Sequence, residues 1–272
     1  MRWLLCGLAF IGVAQQASAA DLGESFLRGS STIINTSSGV TWDGAYVGAH
    51  FGGAASGTDF SKATKSLVAF LLRNTTIENE NHVSSWTTLS KGDTTGISYG
   101  GFAGYNMQWD QAVLGVEATY NRTSLTMSAN DSMRRLFSTS DGYNNDVQVD
   151  AGSSIHITDY GTLRMRGGWA AGNFMPYGFV GFALGRADVT NSARVRASGT
   201  STTGGPPYSS DSQTAVSRTG DFAYGFATGL GVDIALMQNI FVRAEYEYVQ
   251  FGQFNDLKTH IHTARIGGGV KF

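Results

Sequence analysis

Cysteine is almost absent. The single one, Cys6, lies in the N-terminal apolar run, so no disulfide framework and no thiol chemistry is available downstream of it. Proline is scarce, at 3 residues. Only 15% of residues are charged and the formal net charge is −2, which excludes the basic balance of a nucleic-acid binder. Beyond the N-terminus, no apolar run reaches the length of a membrane helix. The longest is the short patch "LVAFLL" (Leu67–Leu72).

What is present is glycine and aromatics together. The chain has 36 Gly beside 16 Phe, 11 Tyr and 5 Trp. Disordered chains are poor in aromatics, so this glycine content points instead to tightly curved β-structure with close backbone approach. At the N-terminus, "MRWLLCGLAFIGVAQQASAA" has one cation, an apolar run too short to span a bilayer, and the small-residue site Ala17-Ser18-Ala19. That is the plan of a secretory signal peptide over 1–20. Its loss removes Cys6 and Arg2 and leaves a net charge of −3. Residues 21–41 read as a periplasmic leader segment, and 42–272 as the folded domain.

Within 42–272, period-two alternation recurs in segments of about ten residues, the length of a tilted membrane strand. Eight such segments are predicted, at 42–54, 96–108, 112–123, 156–171, 174–189, 222–236, 239–252 and 259–272. Strands two and three, four and five, and six and seven are joined by very short turns. Residues 55–95, 124–155 and 190–221 read as long loops, and 253–258 as a short one. Alternation of short and long connections is the pattern of an all-β, eight-stranded antiparallel up-and-down transmembrane β-barrel, with both termini on the periplasmic side.

The faces indicate which side is wet. Strand seven sets Ile240, Val242, Ala244, Tyr246 and Tyr248 against Arg243, Glu245 and Glu247. Strand eight sets Ala264, Ile266, Val270 and Phe272 against Arg265 and Lys271. In strand three, Leu114, Val116 and Tyr120 oppose Glu117. In strand four, Leu163, Met165 and Trp169 oppose Arg164 and Arg166, and in strand six Asp233 opposes Leu230 and Val232. The parity of strands one and five stays open, because glycine and aromatics fall on both faces. Parity alone also permits a soluble barrel with the apolar face inside. The signal peptide, the terminal aromatic and an expected girdle of Trp42, Tyr105, Trp109, Trp169 and Tyr246 favour the membrane.

The stretches "WDGAYVGAHFGG", "GGFAGYNMQWDQAVLGVEATYN", "DYGTLRMRGGW", "MPYGFVGFALGRA", "FVRAEYEYVQFG" and "HTARIGGGVKF" resemble the small porin-like outer-membrane barrels of alphaproteobacteria. That family includes the abundant 25- and 31-kilodalton surface proteins and is related in architecture to the OmpA transmembrane barrel. Gly167 and Trp169 depart from the Leu and Tyr usual there, and the resemblance fails in the three long loops. It implies location in the bacterial cell outer membrane and a structural or surface role, with ligand binding or adhesion in some members. The terminal Phe272 resembles the signal that barrel-assembly machinery recognises.

Glu117, Arg164, Arg166, Asp233, Arg243, Glu245, Glu247, Arg265 and Lys271 are expected to point into a lumen too narrow for much besides side chains. There they would form a cross-barrel charge network that plugs the barrel; a narrow porin is the alternative. His260 and His262 share a strand face at its loop end, a spacing able to hold a metal or haemin, although His50, His82 and His156 add no defined ligand set. No nucleophile elbow or metal signature appears, so no enzyme, catalytic residue or cofactor is expected. Expected partners are outer-membrane lipid and lipopolysaccharide, the barrel-assembly machinery, and a host or surface ligand at the loops. The "LVAFLL" patch is expected to form a short helix packed on the rim.

Overall fold

The structure, a computed structural model, describes residues 40–254 and 257–272. The predicted signal peptide and nearly all of the leader lie outside the described residues. Eight antiparallel strands form a closed barrel in chain order. They are β1 (Gly44–Asp59), β2 (Lys91–Trp109), β3 (Ala112–Ser138), β4 (Tyr143–Trp169), β5 (Phe174–Ser201), β6 (Tyr208–Ala235), β7 (Ile240–Phe254) and β8 (Leu257–Lys271). Between β1 and β2 come two short helices, α1 (Lys65–Leu71) and α2 (Thr76–Asn81), and a 3-10 turn at Val83–Ser85. No described helix is long and apolar enough to cross a membrane, so any crossing is made by strands.

Closure is built from the chain end. β8 pairs with β1 from Lys258 opposite Asp59 down to Lys271 opposite Tyr46, and the Phe272 N–H donates to the Ala45 carbonyl at 2.8 Å. No sheet edge is then left open to hydrocarbon, where an unpaired peptide group would cost several kcal/mol. The turns at this end are tight: Asp110 takes a positive φ of 52° in the two residues between β2 and β3. Asp tolerates that conformation better than most residues do.

Around the lower barrel the outward side chains are apolar and exposed, with Leu163 at 63%, Phe182 at 77% and Tyr224 at 79%. Tyr105, Trp109, Trp169 and Tyr246 also face out, as the girdle reading requires. Trp42 does not. It is 3% exposed and packs inside the mouth of the lumen, edge-on to Phe241 with ring centroids 6.2 Å apart. A residue just ahead of a strand has no parity to fix its side, and the wide mouth accepts the ring.

Residues 124–155 and 190–221 are mostly strand, not loop. β3 to β6 run for 27 or 28 residues, whereas β1, β7 and β8 have 15 or 16. The surplus continues the ladder outward as a four-stranded sheet of Leu125–Ser138, Tyr143–Ile157, Val189–Ser201 and Tyr208–Arg218. The register shifts at its base, between Arg122 and Leu125, Ile157 and Asp159, and Ala187 and Val189. Such bulges re-aim strands at the rim of a barrel.

Above the bulges the polarity of the wall is reversed. Leu125, Met127, Val147, Val149, Ile155, Ile157, Val189 and Val195 now point inward and are buried, while Ser, Thr, Asp and Arg face outward. The barrel below is built for lipid and the sheet above for water, along the same continuous strands. The inner face of the sheet is covered by the 60–90 segment. Val68 and Leu72, from the "LVAFLL" patch, bury against Val147, Val149 and Val195, and Trp86 meets Phe137 edge-on at 5.5 Å. Thr75 caps α2 by accepting from the Glu78 N–H, and Glu78 in turn takes the Ser84 N–H at 2.9 Å and hydroxyl at 2.6 Å. The rim helix expected at Leu67–Leu72 is therefore the lid of this extension.

Ion pairs cross the outward face of the sheet: Arg134 with Asp146, Arg196 with Asp150, and Arg194 with Asp211. Hydrogen bonds from Arg134 and Arg194 hold the Asp146 and Asp211 carboxyls below the usual range, and a bond from Ser132 does the same to Asp150. Depressed carboxyls contribute stability above their unfolded pKa, near 4, and lose it as pH falls through the folded value. Hydrogen exchange across Leu125–Ile157, corrected for intrinsic rates, is expected to speed up below about pH 4. Exchange in the lower barrel should not change with it.

Candidate functional site

The lumen is where the charged faces converge. Glu117 on β3, Arg164 and Arg166 on β4, Asp233 on β6, Arg243, Glu245 and Glu247 on β7 and Arg265 on β8 are all buried within one layer. Each guanidinium spans at least two carboxylates. Arg164 donates from Nε to Glu117 at 2.9 Å, from Nη1 to Glu245 at 2.8 Å and Glu247 at 3.1 Å, and from Nη2 to Glu245 at 2.7 Å. Arg166 reaches Asp233 at 2.7 Å and Glu117 at 3.1 Å. Arg243 takes Asp233 through Nε at 2.7 Å and Glu117 at 2.9 Å, while Arg265 takes Glu245 at 2.9 Å and Glu247 at 3.0 Å.

Lys271 is not among them. It is half-buried at the mouth, with Nζ donating to the Thr41 carbonyl. Four arginines thus face four carboxylates and the layer is neutral. That balance fits desolvation: every charge here has lost water, and only a fully paired set offsets the loss.

Aromatics complete the shell. Tyr46 donates to Glu117 at 2.7 Å, Tyr177 to Glu245 at 2.6 Å and Tyr160 to Glu247 at 3.2 Å. Arg164 lies over the Phe179 ring at 4.0 Å, Arg166 over Tyr177 at 3.8 Å and Arg243 over Phe102 at 4.1 Å. Glycine makes the space for these rings. A Cβ on Gly104 would strike the Tyr46 phenol, and one on Gly229 the Phe179 ring. The mixture of glycine and aromatics that obscured strands one and five is this packing. Tyr46, Tyr177 and Phe179 sit on those two strands, and a parity for either would have found them.

Apolar layers close both sides of the charged one. Trp42, Met175, Phe241 and neighbours lie beneath it, and Leu125, Ile155, Val249, Phe251 and Ile261 above. His50 enters the same space, with Nε2 2.8 Å from Asn121 Oδ1 and its ring stacked on Phe102. Asn121 also accepts from Arg265 at 2.6 Å.

Of the other histidines only two stand together, with the His260 and His262 rings 5.4 Å apart. His260 and His262 face outward on β8, beside Tyr246 and Tyr248, and Tyr246 Oη lies 2.6 Å from His262 Nδ1. His156 bonds Thr126 on the outer face at 2.7 Å, and His82 ends α2 in the left-handed conformation. Among the described residues no group of three or more His, Cys, Asp or Glu side chains is placed to hold a metal ion. Phe272 is exposed at the lower rim of the β8–β1 seam.

Comparison with known proteins bears on the whole domain. The family model for the outer membrane protein beta-barrel domain matches residues 5–272. The 25 kDa outer-membrane immunogenic protein of Brucella ovis is 27% identical over 173 residues, which cover 64% of this chain and 62% of that protein. Its counterpart in Brucella abortus biovar 1 is 26% identical over 181 residues, 64% of each. The chain therefore spans somewhat less than two thirds of the curated relatives it matches. Among solved structures, Ail of Yersinia pestis is 14% identical, with a TM-score of 0.31 over 85% of this chain and 99% of that one. Neisserial surface protein A is 19% identical, with a TM-score of 0.33 over 84% and 97%. The family model covers nearly the full length, and the protein belongs to the outer membrane protein beta-barrel domain family of the bacterial outer membrane.

Proposed function

We propose that the protein is a plugged anchor. Its barrel fixes a rigid extracellular sheet in the outer membrane, where the sheet supports the envelope and meets host or other surfaces. The observation that carries this reading is the neutral, desolvated layer of four arginines and four carboxylates, in which each arginine side chain is at most 2% exposed. An ion crossing that layer would have to break several charge-assisted bonds at once. Each is worth about 1.5–3 kcal/mol.

Purified protein in liposomes is expected to give no more swelling with small sugars than empty vesicles. Robust swelling would instead support a narrow porin. The role also requires no chemistry, so deletion should leave the lipid A mass profile unchanged; a missing modification would turn the reading toward an enzyme.

Assembly is the second part of the reading. Phe272 directly follows the strand that closes the barrel, and the residue is 79% exposed, free for the barrel-assembly machinery to read. Phe272→Ser removes little packing, yet it is expected to reduce the heat-modifiable fraction in outer membranes several-fold. In vitro refolding into detergent should be unchanged. Equal loss in both would make Phe272 a stability residue only.

A further inference from the structure

The two sides of the outer sheet end differently. The ladder of β6 with β7 stops at Gly225 and that of β3 with β2 at Thr123, so above the barrel each of these strands has one neighbour only. The β3 side is covered. Within the 60–90 segment the Thr88 N–H donates to Asp131 at 2.8 Å, and Trp86 lies under Arg135 and against Phe137. On β6, among the described residues, the side-chain hydrogen bonds of Ser209–Ser217 go to Thr190 and Arg194 of β5 or stay within the strand.

Along an antiparallel edge every second residue turns its N–H and C=O to the open side. From Tyr208 to Arg218, the stretch over which β6 pairs with β5 before the register shifts, this open row runs for about 35 Å. Exposed edges are commonly blunted by lysine, proline, bulges or inward-pointing charge. Here Ser209–Ser217 reads "SSDSQTAVS", and its one charge, Asp211, is already paired with Arg194.

We infer that this edge is a homophilic adhesion strand: it pairs antiparallel with the same strand of a second copy of this chain, anchored in the membrane of a neighbouring cell. A copy in the same membrane does not fit. There both β6 strands descend together, and a two-fold axis along the membrane normal sets each residue beside itself, a register in which parallel hydrogen bonds do not form. Copies on facing membranes are related by an axis lying between the membranes. Their β6 strands then run in opposite directions, and the two-fold pairing is an ordinary antiparallel ladder. Full overlap of Tyr208–Arg218 with itself places the axis at Gln213. Ser209 then faces Ser217, Asp211 faces Ala215 and Tyr208 faces Arg218, so no like charges meet. The turn beyond Tyr208 reaches only to the level of Phe222 of the facing copy, the highest aromatic of the outward belt on β6, so the joined sheets span the gap without entering either membrane. The inference rests on the extracellular placement of the sheet in the proposed function.

The test uses the full-length mature protein in liposomes of zwitterionic lipid, prepared as two populations with different dyes. Wild-type vesicles should co-cluster about tenfold more than protein-free ones, since many weak contacts act together between two surfaces. Gln213→Lys sets lysine against lysine and should abolish clustering, as should Gln213→Glu, whereas mixing vesicles of the two variants should restore it. The chain's single cysteine, Cys6, lies in the predicted signal peptide, so cysteines can be placed singly on the edge. With a short bis-maleimide, Gln213→Cys should cross-link to itself, and Ser209→Cys only to Ser217→Cys. Wild-type vesicles that do not cluster, clustering kept by Gln213→Lys, or no rescue in the mixture overturns the inference. So does cross-linking that persists when the vesicles are too dilute to meet, because the contact would then lie within one membrane. Labelling of Gln213→Cys on whole cells by an impermeant maleimide tests the extracellular placement separately. An unlabelled cysteine would sink that placement, while the vesicle result decides the pairing.

Discussion

Arg164→Met is expected to lower the unfolding free energy of the barrel by about 3–5 kcal/mol, the largest effect of any single substitution considered for this chain. Arg164 bonds Glu117, Glu245 and Glu247 at once, at side-chain exposures of 0–1%. Removing it takes one guanidinium from each of three carboxylates, which keep only Arg166, Arg243 or Arg265, and leaves a layer that no longer sums to zero. Methionine fills the volume and keeps contact with Phe179, so the loss reports charge and not a cavity. Urea unfolding of refolded protein in detergent, followed by tryptophan fluorescence and heat-modifiable migration, measures it. Arg164→Lys should recover little, because an ammonium cannot fork between three carboxylates. Arg194→Met, at an exposed pair on the outer sheet, should cost less than about 1 kcal/mol. A loss below that value for Arg164→Met would mean that water enters the lumen, and the plugged reading would fall.

Val68→Asp is expected to separate the extension from the barrel. Val68 is fully buried beneath α1, against the inner face of the outer sheet. A carboxylate there has no partner among Val147, Val149 and Val195, and the penalty of about 3 kcal/mol or more exceeds what a seven-residue helix without a side-chain cap can absorb. The lid should detach and uncover the sheet. External protease would then cut within 60–90 and along Tyr208–Arg218 at least tenfold faster than in the wild type. The lower barrel should still migrate as folded, because the hydrogen bonds and ion pairs of the charged layer are made within the lumen and not to the lid. Phe70→Asp is the control: that ring is 56% exposed and touched by Arg73, so its loss should change the cutting rate little.

The barrel was legible where burial on one side met lipid on the other. β7 and β8 alternate Arg and Glu with aliphatic and aromatic residues, and the structure places these faces as the alternation predicts. The extension was not legible, although the period persists in it. Val147, Val149, Ala151, Ser153, Ile155 and Ile157 alternate without a break, yet the polar partners Gln148, Asp150 and Ser154 give that stretch the composition of a loop. A reading tuned to membrane strands expects apolar residues outward and stops where the polarity reverses. On β6 even that signal is missing, because Ser210, Ser212 and Thr214 occupy the inward positions of an edge strand.

The charged layer was legible in its members but not in its balance. Lys271 shares a face with Arg265, and only its place at the mouth removes it from the set. Tyr46, Tyr160 and Tyr177 were missed because a tyrosine reads the same toward lipid as toward a buried carboxylate.

The long strands also decide what an antibody or a phage can grip. Across one row of the outer face, Arg134, Gln148, Arg196 and Asp211 stand side by side on four strands, although they are far apart in the chain. An epitope on that face is conformational: no linear peptide from the sequence reproduces it, and boiling the protein should abolish recognition while leaving every covalent bond intact.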